Sequence, residues 1–411
     1  MVSKSVFGSF VAGLVFSSLS SAYDYIPQDQ LPEWFQTEML KDTTVTESSV
    51  LDLGTTSKNA RVLGKATLVA NRNDALYYHI DVETSSPVEC YAFSASEGAA
   101  NSLYSVLRST AEALAETNQL QLVSLLNYAS DVGVVGSTAY LGLELLYVIG
   151  EQDDPSTGLL KGLVAQTGDT LQICLHHEIG YRSAFFSVFR SFVDVFASTN
   201  QSADFFRTVY KHSLGDVPIG YVWETFALDE DGDVHHQSVQ SMLMPVDESS
   251  VSRSDLVMSE WSSPDGSLIN SSEYTIENGD VSSEFAVFRH DDAWHVEGQM
   301  QGKEIETTLE YDSWLLSSFG QYLETAIIRT TEKSESEFMI FLAEADPTAA
   351  TPIIISETKD KKNANMQMRL GPMVFYMDVD AGGIVRETLF KQGPISMNMP
   401  LLYSSGTPLL Q

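Results

Sequence analysis

Over much of the chain apolar and polar residues alternate with a period of two, the signature of strands with one buried face. Ala66–Val69 and Leu76–Val82 are apolar, β-branched or aromatic runs separated by the turn cluster Asn71-Arg72-Asn73-Asp74. Val88–Phe93 follows after Ser85-Ser86-Pro87. Residues 132–150 carry one charge, Glu144, and Ala139, Leu141, Leu143, Leu145, Tyr147 and Ile149 fall on every second position. That alternation, with glycines at 133, 136, 142 and 150, predicts a buried strand over Tyr140–Ile149 and argues against a membrane-spanning helix. Leu159–Ala165 and Leu171–Leu175 read as further strands.

Elsewhere the period changes to that of a helix. Ala99, Ala100, Leu103, Val106, Leu107, Ala111 and Leu114 recur at helical spacing, and Ser94 with Glu97 has the spacing of a capping box. Phe185, Phe189, Phe192 and Phe196 line one side of a second helix. A short helix over Leu31–Leu40 starts at Pro32, and another over Ser313–Thr325 places Trp314, Leu315, Phe319, Tyr322 and Leu323 together.

The two long helices share a heptad. Leu103–Ser109 matches Phe185–Ser191 at four of seven positions, and Cys90 and Cys174 stand 18 and 16 residues before Arg108 and Arg190. Read as a duplication, this predicts an α+β N-terminal domain, residues 23–214, of two tandem βββα repeats with pseudo-two-fold symmetry. Cys90 and Cys174 then occupy equivalent third strands, where they either form a disulfide across the pseudo-dyad or remain two buried thiols.

From Tyr221 onward strand-like runs alternate with turn signals such as Pro264-Asp265-Gly266, Glu277-Asn278-Gly279 and Ala381-Gly382-Gly383. The expectation for residues 215–411 is a mostly antiparallel β-meander, a curved sheet or half-barrel, packing on one helix. Met366, Met368, Tyr376, Met397 and Met399 would offer it an adaptable surface for an apolar guest. In architecture alone this resembles the half-barrel of periplasmic lipoprotein carriers, and fold does not fix function.

Composition narrows the partners. With 23 basic and 56 acidic residues the net charge is −33, a field that repels nucleic acid and anionic membrane surfaces. A hydrophobic fraction of 43% excludes disorder, and two cysteines exclude both a disulfide-dense scaffold and a cysteine-based metal site. Residues 1–22 read as a signal peptide: Lys4, the apolar segment Val6–Phe16 and the small residues Ser20-Ser21-Ala22. The expected location is therefore periplasmic or secreted, and an integral membrane protein is not expected.

Candidate chemistry is sparse. The chain contains no Gly-x-Ser-x-Gly, His-Glu-x-x-His, Gly-x-Gly-x-x-Gly or phosphate-loop motif. His176-His177-Glu178 is the densest set of metal-ligating types, and neither it nor His235-His236 supplies a full ligand set. The acidic turns Asp229–Asp233 and Asp378–Gly383 lack the closing glutamate of a calcium loop and read as hairpin turns. Arg108 with Glu112 and Arg190 with Asp194 have the spacing of surface ion pairs. Asn200 and Asn270 head glycosylation triplets. No cofactor and no metal are expected. The reading is an exported, soluble, non-enzymatic envelope protein that binds an apolar or amphiphilic ligand such as lipid. The alternatives are an interaction module of the envelope or a secretion system that selects a cationic protein, and a hydrolase with a dispersed site drawing on His176, Glu178 or His212.

Overall fold

A computed structural model describes Ile26 and residues 30–51, 53, 60–72, 75–151, 154–197, 204–343, 345–358, 364–393 and 395–409. The signal-peptide segment and the Asn200 triplet lie outside these residues. Two compact units form, one from residues 23–202 with Leu243–Ser252, the other from residues 203–242 with 253–411. The second unit begins near 203 rather than 215, because Phe206–Leu214 is already a strand of its sheet.

In the first unit the helix α1 (Glu33–Met39) is followed by β1 (Ser48–Val50) and β2 (Arg61–Leu63), a two-stranded antiparallel pair. Then come β3 (Lys65–Arg72), β4 (Ala75–Asp81), β5 (Val88–Ser94) and the helix α2 (Ala99–Thr117). Next are β6 (Leu122–Val135), β7 (Thr138–Glu151), β8 (Asp154–Thr167), β9 (Thr170–His176) and the helix α3 (Arg182–Ala197). β3 to β9 make one seven-stranded antiparallel sheet in the order β3-β4-β5-β9-β8-β7-β6. At the β5–β9 seam Cys90 faces Cys174 in register, and the two form a disulfide with an S–S distance of 2.05 Å.

Two tandem βββα repeats are not what this sheet contains. β3 and β4 run 8 and 7 residues whereas β8 and β7, which stand in the matching places beyond β9, run 14, and among the described residues β6 has no counterpart before β3. The helices also lie on opposite faces. A Cβ on Gly162 would come within 2.8 Å of Leu103 and 2.9 Å of Leu107 on α2. Its strand neighbour Leu163 packs instead with Phe185, Phe189 and Phe192 of α3, and adjacent strand residues point to opposite sides. A two-fold axis exchanging two antiparallel neighbours runs perpendicular to the sheet and would leave both helices on one face. The shared heptad therefore reflects a common amphipathic period. The N-cap of α2 differs from expectation too: it is Gly98 at φ +76°, with no side-chain cap, and Ser94 closes β5.

The second unit is built on one fourteen-stranded antiparallel sheet, of which only residues 243–245 and 251–252, at the hairpin ends of two strands, are grouped with the first unit. Its strands are β10 (Phe206–Leu214), β11 (Val217–Leu228), β12 (Val234–Pro245), β13 (Val251–Ser262), β14 (Leu268–Glu277), β15 (Asp280–His290), β16 (Ala293–Met300) and β17 (Lys303–Thr308). The helix α4 (Ser318–Thr330) intervenes before β18 (Glu335–Phe341), β19 (Ala350–Glu357), β20 (Met366–Leu370), β21 (Met373–Val379), β22 (Val385–Gln392) and β23 (Ile395–Gly406). β10 pairs with both β11 and β23, so two meanders share that seam while β17 and β18 are the outermost strands. α4 starts five residues later than the periodicity suggests, because the Ser317 hydroxyl caps it, accepting from the Gly320 amide at 2.9 Å. Its Phe319 and Tyr322 are buried, as are Phe206, Phe226, Phe285 and Trp294 on the strands.

With four helices against sheets of seven and fourteen strands among the described residues, the protein is predominantly antiparallel β rather than α+β. None of these helices is long and apolar enough to cross a membrane.

Candidate functional site

On the α3 face of the seven-stranded sheet, three polar residues stand in line across adjacent strands. Glu144 on β7 faces Lys161 on β8, and Lys161 faces His176 on β9. Both Lys161 and His176 are 1% exposed. The row separates two apolar clusters: Leu146 and Leu159 pack with Phe35 and Met39 of α1, whereas Tyr140 and Leu163 belong with Phe185 and the disulfide.

A buried ammonium is costly unless each N–H finds an acceptor. Lys161 Nζ donates to the carbonyls of Glu178, of Ile179 at 3.4 Å and of Gly180 at 2.5 Å, so the loop between β9 and α3 wraps the charge. Burial pulls the amine down to about 8, which leaves it largely protonated at neutral pH. Burial likewise holds His176 down, to about 3, and its ring stacks on Phe185 with centroids 5.9 Å apart. Burial would raise the Glu178 carboxyl, but hydroxyl donation from Ser85 and Ser86 and the neighbouring histidines outweigh it and keep it below the usual range.

Arg182 opens α3 and grips Glu144 with two bonds, Nε to Oε1 at 3.0 Å and Nη2 to Oε2 at 2.5 Å. The amides of Ser183 and Ala184 donate to the Asp42 carboxylate at 3.0 and 3.2 Å, so an acid from outside the helix satisfies its first turn. Beside this cluster opens a cavity of about 460 Å³. Tyr140, Leu143, Leu163, Phe185 and Phe186 give it apolar walls, and Asp131, Glu144, Lys161 and Arg182 give it polar ones. Tyr140 is fixed by donating to Asp131 Oδ2 at 2.8 Å. Gly142 helps keep the space open, since a Cβ there would lie 2.7 Å from Leu163 Cδ2.

The methionine set read from the sequence sits elsewhere. Met366, Met368, Met397 and Met399 are buried among the strands of the second unit. Tyr376 is opposite Gln367 in register, on the face away from Met366 and Met368, so the five residues do not line one surface. Of the metal-ligating candidates, His235 stacks on Trp261 at 4.5 Å and His236 on Phe226 at 4.4 Å. Asp229 accepts from the amides of Asp231 and Asp233, both at 2.9 Å. Asp380 accepts from Gly382 at 2.8 Å and Ile384 at 3.0 Å and pairs with Arg386. Both acids are spent on hairpin turns. Among the described residues no group of three metal-ligating side chains converges. Arg108 pairs with Glu112 at 3.0 Å on the exposed side of α2, and Arg190 and Asp194 are exposed on α3.

A second polar cluster lies in the other unit. Tyr322 of α4 donates to Glu224 Oε2, Thr208 does so at 3.2 Å, and His236 Nε2 lies 3.3 Å from Oε1, within ion-pair reach but outside hydrogen-bond geometry. Glu260 accepts from the Ser318 amide at 2.6 Å. The cavity that Glu260 lines measures about 20 Å³, room for one water. This cluster ties α4 to the sheet and offers a substrate no space.

No protein-family model and no curated protein matches the chain. A solved structure from Brucella abortus, described as a β-barrel-like protein of a domain of unknown function, is similar over 49% of this chain and 96% of its own, with 12% identity and a TM-score of 0.39. That similarity is too distant to assign a fold or an activity.

Proposed function

We propose that this is an exported binding protein whose first unit takes a small apolar or amphiphilic molecule into the cavity between α3 and β6–β8. The observation that carries the reading is the cavity itself. Its volume of about 460 Å³ lies within the range of small-molecule sites, and its aromatic and aliphatic walls meet a few fixed polar groups. Arg182 suits a headgroup, because its guanidinium has further N–H donors beyond the two bonds to Glu144. Export is supported by the leader-like first 22 residues and by the disulfide, which oxidising compartments favour. The methionine-lined surface is not retained as the ligand site, since those side chains fill a core.

The test is a Ser187→Trp variant, which projects an indole into the cavity from its half-buried rim. Binding of the fluorescent amphiphile 1-anilinonaphthalene-8-sulfonate should fall at least tenfold while the circular dichroism spectrum and Tm stay unchanged. Equal binding by the folded variant would remove this cavity as the site.

A further inference from the structure

The opposite face of the same sheet carries a second recess that the proposed ligand site does not use. Tyr77 on β4 and Tyr91 on β5 face each other in register and stack with centroids 4.5 Å apart and planes 7° apart. Both hydroxyls donate to a single oxygen of Glu89, Oε2, Tyr77 at 2.6 Å and Tyr91 at 2.9 Å. His79 Nε2 lies 2.6 Å from the Tyr77 oxygen. A phenol has one proton, and Tyr77 gives it to Glu89, so His79 is the donor in that contact. The chain of donors thus runs from His79 through Tyr77 to Glu89 and meets Tyr91 there. Burial first, and then the Glu89 charge, push both tyrosine hydroxyls well above their usual range, which keeps them protonated as donors.

This arrangement fixes the carboxylate through Oε2, and among the described residues no hydrogen bond falls on Oε1. Among the described residues no basic side chain pairs with Glu89. Glu89 and Tyr91 line a groove of about 460 Å³ whose other wall is α2, presenting Ser105, Ser109 and Thr110. A fixed, unpaired carboxylate beside an aromatic ring, with hydroxyl acceptors opposite, is complementary to an N–H-bearing cation. The net charge of −33 adds a long-range field that draws cations in.

We propose that this groove binds a protonated primary amine, its ammonium on Glu89 Oε1 beside the Tyr91 ring and its carbon body along α2. Titration calorimetry of the whole protein at pH 7 with 2-phenylethylammonium tests it, with 2-phenylethanol as the neutral analogue. The amine should bind at least tenfold tighter than the alcohol, and Glu89→Gln should lose at least tenfold. Ser109→Trp, which fills the groove from the helix and leaves the tyrosine–glutamate chain intact, should lose binding as well, whereas Ser187→Trp in the other cavity should not. Equal affinity for amine and alcohol, undiminished binding by folded Glu89→Gln or Ser109→Trp, loss in Ser187→Trp alone, or no heat at millimolar amine would each overturn the proposal.

Discussion

Removing the Cys90–Cys174 bond should cost the first unit a large part of its stability. The bond closes a loop spanning a sequence separation of 84 residues, for which chain entropy gives about 4.5 kcal/mol. A domain's whole stability is commonly about 5–15 kcal/mol. The bond also sits at the seam where the β3–β5 meander joins the β6–β9 meander, so reduction loosens the β5–β9 pairing first. Hydrogen exchange resolves this by element. In a Cys90→Ala, Cys174→Ala pair, amides of β5 and β9 should show opening free energies lowered by about 4.5 kcal/mol. Amides of β14–β16, far away in sequence, serve as the internal reference. A change below about 1 kcal/mol at β5 and β9 would refute the loop-entropy argument and mean that the unbridged chain is already held compact.

Three further outcomes follow from groups already placed. Burial holds His212 down to about 4, and neither ring nitrogen has a partner among the described residues. The unfolded chain therefore binds the extra proton between pH 6.5 and 4, so this stability is complete above 6.5 and lost on acidification. Wild type should lose roughly 2 kcal/mol more than His212→Leu between pH 7 and 5, read from urea midpoints; a pH-independent difference would contradict it. Lys161→Met orphans the carbonyls that the ammonium holds, and should cost about 1–3 kcal/mol with faster exchange at residues 177–181; an unchanged stability would mean that water replaces the amine. Asn127 is 1% exposed and its Nδ2 donates to the Asp247 carbonyl at 2.9 Å and the Ser250 carbonyl at 3.1 Å. Asn127→Ala should cost about 1–3 kcal/mol in thermal unfolding, and an unchanged Tm would show those bonds to be dispensable.

Strand positions were legible where one face is apolar throughout, as at Val88–Phe93 or Leu171–Leu175. The face each helix takes was not. Leu103–Ser109 and Phe185–Ser191 spell the same amphipathic stripe, and what separates them is Gly162, which lets α2 approach one side of β8 while Leu163 meets α3 on the other. The polar row left a faint mark: Glu144 and Lys161 each interrupt an otherwise apolar run. What brings them together is cross-strand register, set by hairpin geometry rather than by local composition. The acceptors of Lys161 are backbone carbonyls, which no side-chain pattern encodes. For Met366 and Met368, alternation indicates a shared face and is silent on whether that face meets a cavity or a core.

The first unit is discontinuous, and this has a consequence for its biosynthesis. Leu243–Ser252 supplies the carbonyls that buried Asn127 requires, yet emerges from the ribosome about 50 residues after the rest of that unit ends at 202. At roughly 5–20 residues per second, the nascent body waits on the order of 3–10 s for its last piece. A gene fragment stopping at codon 202 would never receive it; the shortest uninterrupted stretch that encodes the whole unit runs from 23 to 252.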